Sequence, residues 1–163
     1  MDLAILNPSI QEFIQKQIGI SVAKLALQKN PFPEVEWIAI LNQIEAKTKA
    51  KEKLPSWYNT ANIIYPSKIS AEQTSSESTA QYKSSLIQGE NLIDLTGGFG
   101  VDDFYFTKQF TSVTHCEINS DLSAIVKHNF SCGPCYQATF KYGCNKINCM
   151  DTLDVNLAAD YAI

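Results

Sequence analysis

The sequence predicts an α/β protein in which a helical N-terminal part leads into the first strands of a parallel, ligand-binding sheet. Three observations predict it. Apolar residues recur at helical spacing through the first third of the chain. Residues 91–100, NLIDLTGGFG, read as a buried strand (92–95) running into a glycine-rich turn, and residues 112–117, SVTHCE, read as a second strand that ends on a carboxylate.

The helical part comes first. Asn7-Pro8 opens a helix, because a capping residue precedes a proline at the first helical position, and Ile10, Phe13, Ile14 and Ile18 follow at helical spacing. A second, short helix is expected over 21–29, stopped by Pro31-Phe32-Pro33. A third starts from Glu34, with Trp37, Ile40, Leu41 and Ile44 on its apolar face. Glu34 and Glu36 fall in its first turn and Lys47, Lys49, Lys51 and Lys53 toward its end, the order the helix dipole favours, and Leu54-Pro55 closes it. Those lysines spread around the helix axis, so they read as a solvated helix end ahead of a nucleic-acid contact. Trp57 and Tyr58 read as core residues ahead of base-stacking ones.

Residues 59–70 read as irregular, with a short extended piece at 63–65. Thr74-Ser75-Ser76-Glu77 fits a capping box in which the threonine oxygen bonds the N–H at Glu77 and the glutamate reaches back. The helix it starts should run to about Ile87, with Gly89 closing it. This gives a helical subdomain at 1–56, a connecting segment with a pre-sheet helix at 57–88, and the sheet domain at 89–163.

Composition narrows the class. Hydrophobic residues make up 45% and charged residues 18% of the chain, ordinary for a soluble globular protein. No apolar run approaches the roughly 18 residues of a membrane span, and the N-terminus lacks the basic start and apolar core of a signal peptide. The five cysteines, an odd number crowded toward the C-terminal half, fit a reducing compartment, so a cytoplasmic location is expected. With a net charge of -4 and all 13 basic residues lysine, nothing draws the whole chain to nucleic acid. Any phosphate contact is expected to be local.

After the glycine turn, 101–110 should be a helix and 112–117 the second strand. In sheets of this kind the ligand lies across the carboxyl ends of the strands, and an acid about twenty positions past the glycines takes the ribose hydroxyls. Glu117 stands there, and a carboxylate, with two acceptor oxygens and no donor, suits a vicinal diol. The dinucleotide fingerprint G-x-G-x-x-G fits poorly: counted from Gly98 its third glycine falls on Asp103, and counted from Gly97 its second falls on Phe99. Asp94 and Asp102 beside the turn disfavour a pyrophosphate but suit a ligand carrying sulfonium and ammonium charges, such as S-adenosylmethionine.

IDLTGGFGVD followed by VTHCEINSDLSAIVKHN resembles the opening of class I S-adenosylmethionine-dependent methyltransferases. Their D-x-G-x-G-x-G pattern maps onto Asp94, Thr96, Gly98 and Gly100, with Thr96 where the first glycine is expected. With AEQTSSESTAQYKSSL upstream and the helical N-terminus, the chain resembles more closely a bacterial family related to the RNA cap guanine-N2 (trimethylguanosine synthase-like) enzymes. That family carries a THUMP-like domain after the catalytic one. The likeness covers residues 53–129 well and the remainder weakly.

The likeness implies a helical N-terminal subdomain followed by the first three to four strands of a Rossmann-like methyltransferase sheet. It implies S-adenosyl-L-methionine as cofactor and a nucleobase nitrogen in RNA as methyl acceptor. By it, Asp94, Thr96, Gly97, Gly98 and Gly100 cradle the methionine part and Glu117 holds the ribose. The adenine lies beside Ile118, with Asp151 near its amino group, and Gln73, Ser75 and Lys83 close the pocket near the methionine carboxylate. Ser75 as a cap and Lys83 as a solvated lysine are equally good plain readings. No catalytic residue is implied.

Past Asn129 an irregular insertion is expected, Phe130-Ser131-Cys132-Gly133-Pro134-Cys135, with the third strand delayed to about 146–150 and 157–163 approaching a fourth. Cys132-x-x-Cys135 follows a helix, whereas thioredoxin-like sites follow a strand. A zinc set of Cys132, Cys135, Cys144 and Cys149 has spacing at the edge of usual sites, so no metal is expected. His115 reads as a strand residue and His128 as a helix-end cation. Too few strands follow Gly89 to cover a complete sheet, and no Asp/Asn-Pro-Pro-aromatic motif occurs. The chain is therefore expected to be a truncated form holding part of the cofactor site. Two other readings stand beside this one: a non-catalytic interaction protein on a residual nucleotide-binding fold, and a dinucleotide-binding protein.

Overall fold

The structure is a computed structural model that describes residues 3–66, 74–132, 139–143 and 161–162. The chain forms two compact units, Met1–Gln73 and Thr74–Ile163.

In the first unit a 3-10 turn, Leu3–Leu6, precedes α1 (Pro8–Gln17), and α2 (Val22–Leu25), α3 (Trp37–Lys53) and α4 (Pro55–Asn59) follow. Asn7 caps α1 as its sequence implies: its Oδ1 accepts the Ser9 N–H at 3.1 Å, and Pro8 fills the first helical position. α2 is a single turn, shorter than the 21–29 span. α3 starts at Trp37, so Glu34 and Glu36 lie outside its first turn, against expectation. The reason is a turn held by Asn30, whose Oδ1 accepts the Phe32 N–H and whose amide donates to the Val35 carbonyl. That turn uses up the residues before the helix can begin. Ile10, Ile14, Ile40 and Ile44 are fully buried and form the core with Leu25 and Val35. The extended piece at 63–65 is buried too, and the Gln43 amide both accepts from the Tyr65 N–H and donates to the Tyr65 carbonyl. A buried extended segment needs its backbone groups satisfied in this way.

The second unit runs α5 (Glu77–Ser85), β1 (Gly89–Asp94), α6 (Val101–Phe106), β2 (Phe110–Cys116), α7 (Ser120–Cys132), β3 (Thr139–Gly143) and β4 (Tyr161–Ala162). Its sheet is parallel throughout in the order β3-β2-β1-β4. Leu92 of β1 lies opposite Val113 of β2 and Tyr161 of β4, and His115 lies opposite Asp94 on one side and Tyr142 of β3 on the other. The strand order reverses at β1, which makes the crevice beyond its carboxyl end the place where open parallel sheets take ligands. Leu92, Phe106, Phe110 and Val113 form a buried cluster with Ile87 against it.

Several boundaries differ from the sequence reading. α6 ends at Phe106 and β2 begins at Phe110, because Phe110 is buried in the sheet core and a turn at 107–109 delivers it there. α7 extends to Cys132 because Asn129 and Phe130 are buried, so the first three residues of the expected insertion are helical. The third strand is Thr139–Gly143, a run rich in β-forming Thr, Phe and Tyr, and not the delayed 146–150 segment, which lies outside the described residues. The cap of α5 is Ser76, whose Oγ accepts the Thr79 N–H at 3.1 Å, and not the Thr74 box. Glu77 is drawn elsewhere: its Oε2 accepts the Tyr105 hydroxyl at 3.0 Å. Among the described residues no helix is long and apolar enough to cross a membrane.

Candidate functional site

The turn after β1 is built by backbone hydrogen bonds and by three glycines with three different duties. Asp94 is buried at the end of β1, and its Oδ1 accepts the Thr96 N–H at 2.8 Å, which bends the chain out of the strand. Gly97 donates to the Cys116 carbonyl at 2.9 Å, tying the turn to the end of β2, and the Gly100 N–H closes it onto the Gly97 carbonyl at 2.8 Å. Gly100, at φ 76°, starts α6 against α7, where a Cβ would fall 2.7 Å from the Phe130 ring. Gly97 lies on the His115 imidazole, where a Cβ would fall 2.1 Å from Nδ1. Gly98 differs from both: at φ 54° it is left-handed, and the nearest atom to a Cβ there would be the Thr96 carbonyl oxygen at 3.7 Å. Its face is open, so a ligand can approach the backbone there.

Glu117 lies across this turn. Its Oε2 accepts the Gly98 N–H at 3.2 Å and its Oε1 the Asn119 N–H at 2.7 Å. Asn119 in turn accepts the Asp121 and Leu122 N–H groups, fixing the start of α7. Ile118, beside the carboxylate, is 85% exposed, an uncommon state for a large apolar residue at a strand end. Asp94, Thr96, Gly97, Gly98, Gly100, Glu117 and Ile118 therefore share the carboxyl ends of β1 and β2.

Ser75 and Lys83 join them through Asp102 in the first turn of α6. Ser75 Oγ donates to Asp102 Oδ2 at 2.8 Å, and Lys83 Nζ reaches both that oxygen and Ser75 Oγ at 2.9 Å. Ser75 is not the cap of α5, and Lys83 is ion-paired rather than solvated, although its side chain keeps 46% exposure. Gln73 and Asp151 lie outside the described residues, as do Cys135, Cys144 and Cys149. Cys132 is exposed at the end of α7, 3.5 Å from His128 Nε2. Among the described residues no group of three or more His, Cys, Asp or Glu side chains is arranged to hold a metal ion.

Two residues of the site were not singled out from sequence. Asp103 Oδ2 and His115 Nδ1 are 2.6 Å apart, with both side chains fully buried beneath the turn. Burial pushes the Asp103 carboxyl up to about 8, with the Asp102 charge adding to the rise and a hydrogen bond from Asp94 opposing it. Burial likewise pushes Asp94 up to about 7, reinforced by the charge of Asp103 and opposed by the Thr96 N–H. Burial lowers the imidazole pKa of His115, against the pull of Asp94 and Glu117. The alternation VTHCE carried one signal, since it puts His115 on the same face as the buried Val113.

Among solved structures, the chain is similar to the crystal structure of a candidate methyltransferase from Porphyromonas gingivalis W83. The TM-score is 0.65 with 28% sequence identity, over 80% of this chain and 33% of that one. The chain carries a Rossmann-like methyltransferase fold. It spans about a third of the length of that protein. No protein-family model and no curated protein matches it. On the methyltransferase fold the open glycine, the acid after β2 and the Ser75–Lys83–Asp102 group converge at the strand-order reversal, the position expected for a nucleoside-bearing ligand.

Proposed function

We propose that the chain forms the cofactor-binding part of a methyltransferase that uses S-adenosyl-L-methionine. The observation that carries the reading is the Glu117 carboxylate resting on the Gly98 N–H at 3.2 Å, which puts the diol-type acceptor and the open backbone in one crevice. The residues fit that ligand better than a dinucleotide. A pyrophosphate bound at this turn would meet Asp94, Asp102 and Glu117, whereas a ligand with sulfonium and ammonium charges gains from them. Glu117 would hold the ribose, Ile118 offers apolar surface to the adenine, and Lys83 supplies a cation for the methionine carboxylate once it shares Asp102.

The bound cofactor supplies an electrophilic methyl group. The described residues contribute binding and orientation, with no covalent intermediate required. The acceptor we propose is a nucleobase nitrogen in RNA, in the cytoplasm. Support for that finer reading is the motif likeness of residues 53–129 to RNA-modifying enzymes and the composition; the THUMP-bearing family belongs to the same proposal.

Calorimetric titration with S-adenosylhomocysteine and, separately, with NAD tests the reading. Binding of the first without the second is expected. Binding of NAD alone would end the proposal, and binding of neither would favour an interaction protein on a nucleotide-binding fold.

A further inference from the structure

Around the turn three ionisable side chains meet: Asp94, which also belongs to the proposed cofactor cradle, and Asp103 and His115, whose side chains are fully buried. Asp94 ends β1, His115 is its register partner on β2, and Asp103 stands in the first turn of α6. Together they bracket the turn. Asp94 bonds the Thr96 N–H where the turn begins, Asp103 follows where it ends, and the His115 ring underlies Gly97 so closely that no side chain fits between them. The ring itself cannot swing aside, because Asp103 holds it at 2.6 Å and both side chains are fully buried.

We infer that His115, held by Asp103, is a positioning residue for the glycine turn, and that the proton content of the Asp94–Asp103–His115 cluster sets the turn's geometry and through it the affinity for the cofactor. The ligand half of this inference rests on the function proposed above; the positioning half does not. Moving a proton between Asp103 and His115 leaves the net charge of the pair unchanged, so the charge of the cluster changes only when a proton leaves it altogether. Ionised, Asp94 accepts the Thr96 N–H in a charge-assisted bond about twice as strong as a neutral one, and the start of the turn tightens. Protonated, it holds the turn more loosely. The charged groups around the cluster are Asp94 from β1, Asp102 and Asp103 from α6, and His115 and Glu117 from β2, with Lys83 from α5 paired to Asp102. At Gly100 the nearest α7 side chains are the apolar Val126 and Phe130. Burial places the proton loss of both carboxyls near neutral pH, within reach of ordinary solution conditions.

Nitrogen-resolved NMR of the full chain tests the inference without any ligand. The amides of Thr96, Gly97 and Gly98 and the ring nitrogens of His115 are followed from about pH 5.5 to about pH 9. In the wild type they should follow the same titration steps, and in Asp103→Asn, which keeps a hydrogen-bonding group but removes the acid, the principal midpoint should fall by about one pH unit or more. Turn amides that stay flat, or that follow a midpoint different from the ring's, would overturn it. S-adenosylhomocysteine should bind about threefold or more tighter at about pH 8.5 than at about pH 6, a dependence that Asp103→Asn flattens. Equal affinities at both pH values in the wild type would overturn the link to the ligand. If S-adenosylhomocysteine binds at neither pH while the turn amides still follow the ring, the functional reading fails and the positioning role stands.

Discussion

Gly97→Ala isolates the packing of the turn on His115. Gly97 is not among the residues with positive φ, so alanine meets no left-handed backbone penalty there, and the effect comes chiefly from the added methyl group. That methyl would sit 2.1 Å from Nδ1, 2.4 Å from Cε1 and 2.9 Å from Cγ of the imidazole, more than an ångström short of ordinary contact at its closest. The ring has nowhere to go while Asp103 holds it. If the backbone yields, the cost is that of overpacking a tight core, about 1–3 kcal/mol. If the ring yields, the buried Asp103–His115 bond is lost as well, and with the carboxyl raised and the imidazole lowered by burial that bond contributes about 0.5–1.5 kcal/mol. Together these give roughly 3 kcal/mol, which at a urea m-value of about 1–3 kcal/mol/M lowers the unfolding midpoint by roughly 1–3 M. Equilibrium urea unfolding followed by far-UV circular dichroism reads it directly. The double variant Gly97→Ala/His115→Ala supplies the control: with the ring gone, the alanine should cost about 2 kcal/mol less than it does in the wild type. A Gly97→Ala protein within about 0.5 kcal/mol of the wild type would refute the reasoning.

The neighbouring glycine should behave in the opposite way. Gly98→Ala has open space around its Cβ and pays chiefly for the left-handed backbone, about 1–2 kcal/mol, yet it places a methyl group on the open face and should abolish S-adenosylhomocysteine binding; retained binding would move the ligand elsewhere. Glu117→Ala should weaken nucleoside binding by about 2 kcal/mol, read by calorimetry, and an unchanged affinity would remove the carboxylate from the ribose. Stability should fall as pH rises from about 6.5 to about 8.5. The raised carboxyls of Asp94 and Asp103 keep protons in the fold that the unfolded chain has lost, so their contribution is full below the ordinary carboxylate range and disappears through about 7 and about 8. The lowered His115 works in the other direction only below its ordinary 6.5. Urea midpoints that rise over that interval, or that fall as steeply in Asp103→Asn, would contradict the assignment.

What the sequence made legible was the local part of the site. A strand running into glycines, a helix, and an acid at the end of the next strand were readable because each depends on neighbours in the chain. The Asp103–His115 pair was not, because an acid in a helix's first turn and a histidine in a strand are each ordinary taken singly. Their meeting needs the β1–β2 register that sets His115 against Asp94. The cap of α5 was misread for a related reason: Thr74 and Ser76 are both good caps, and the choice turns on Glu77 being taken by Tyr105, 28 residues away. The start of α3 depended on Asn30, whose side chain bonds two backbone groups across a turn that apolar periodicity does not register.

The sheet order also has a kinetic consequence. Leu92 pairs with Val113, 21 residues on, and with Tyr161, 69 residues on. Closing the longer loop costs about 1 kcal/mol more in chain entropy, since each doubling of loop length adds about 0.6 kcal/mol. The segment from β1 through α6 to β2 should therefore assemble ahead of the β1–β4 pairing. In pulsed hydrogen exchange during refolding, protection at Leu92 and Val113 is expected before protection at Tyr161; the reverse order would exclude this route. The ligand turn lies wholly inside the early segment, so it is assembled as part of the nucleus on which the rest of the sheet condenses.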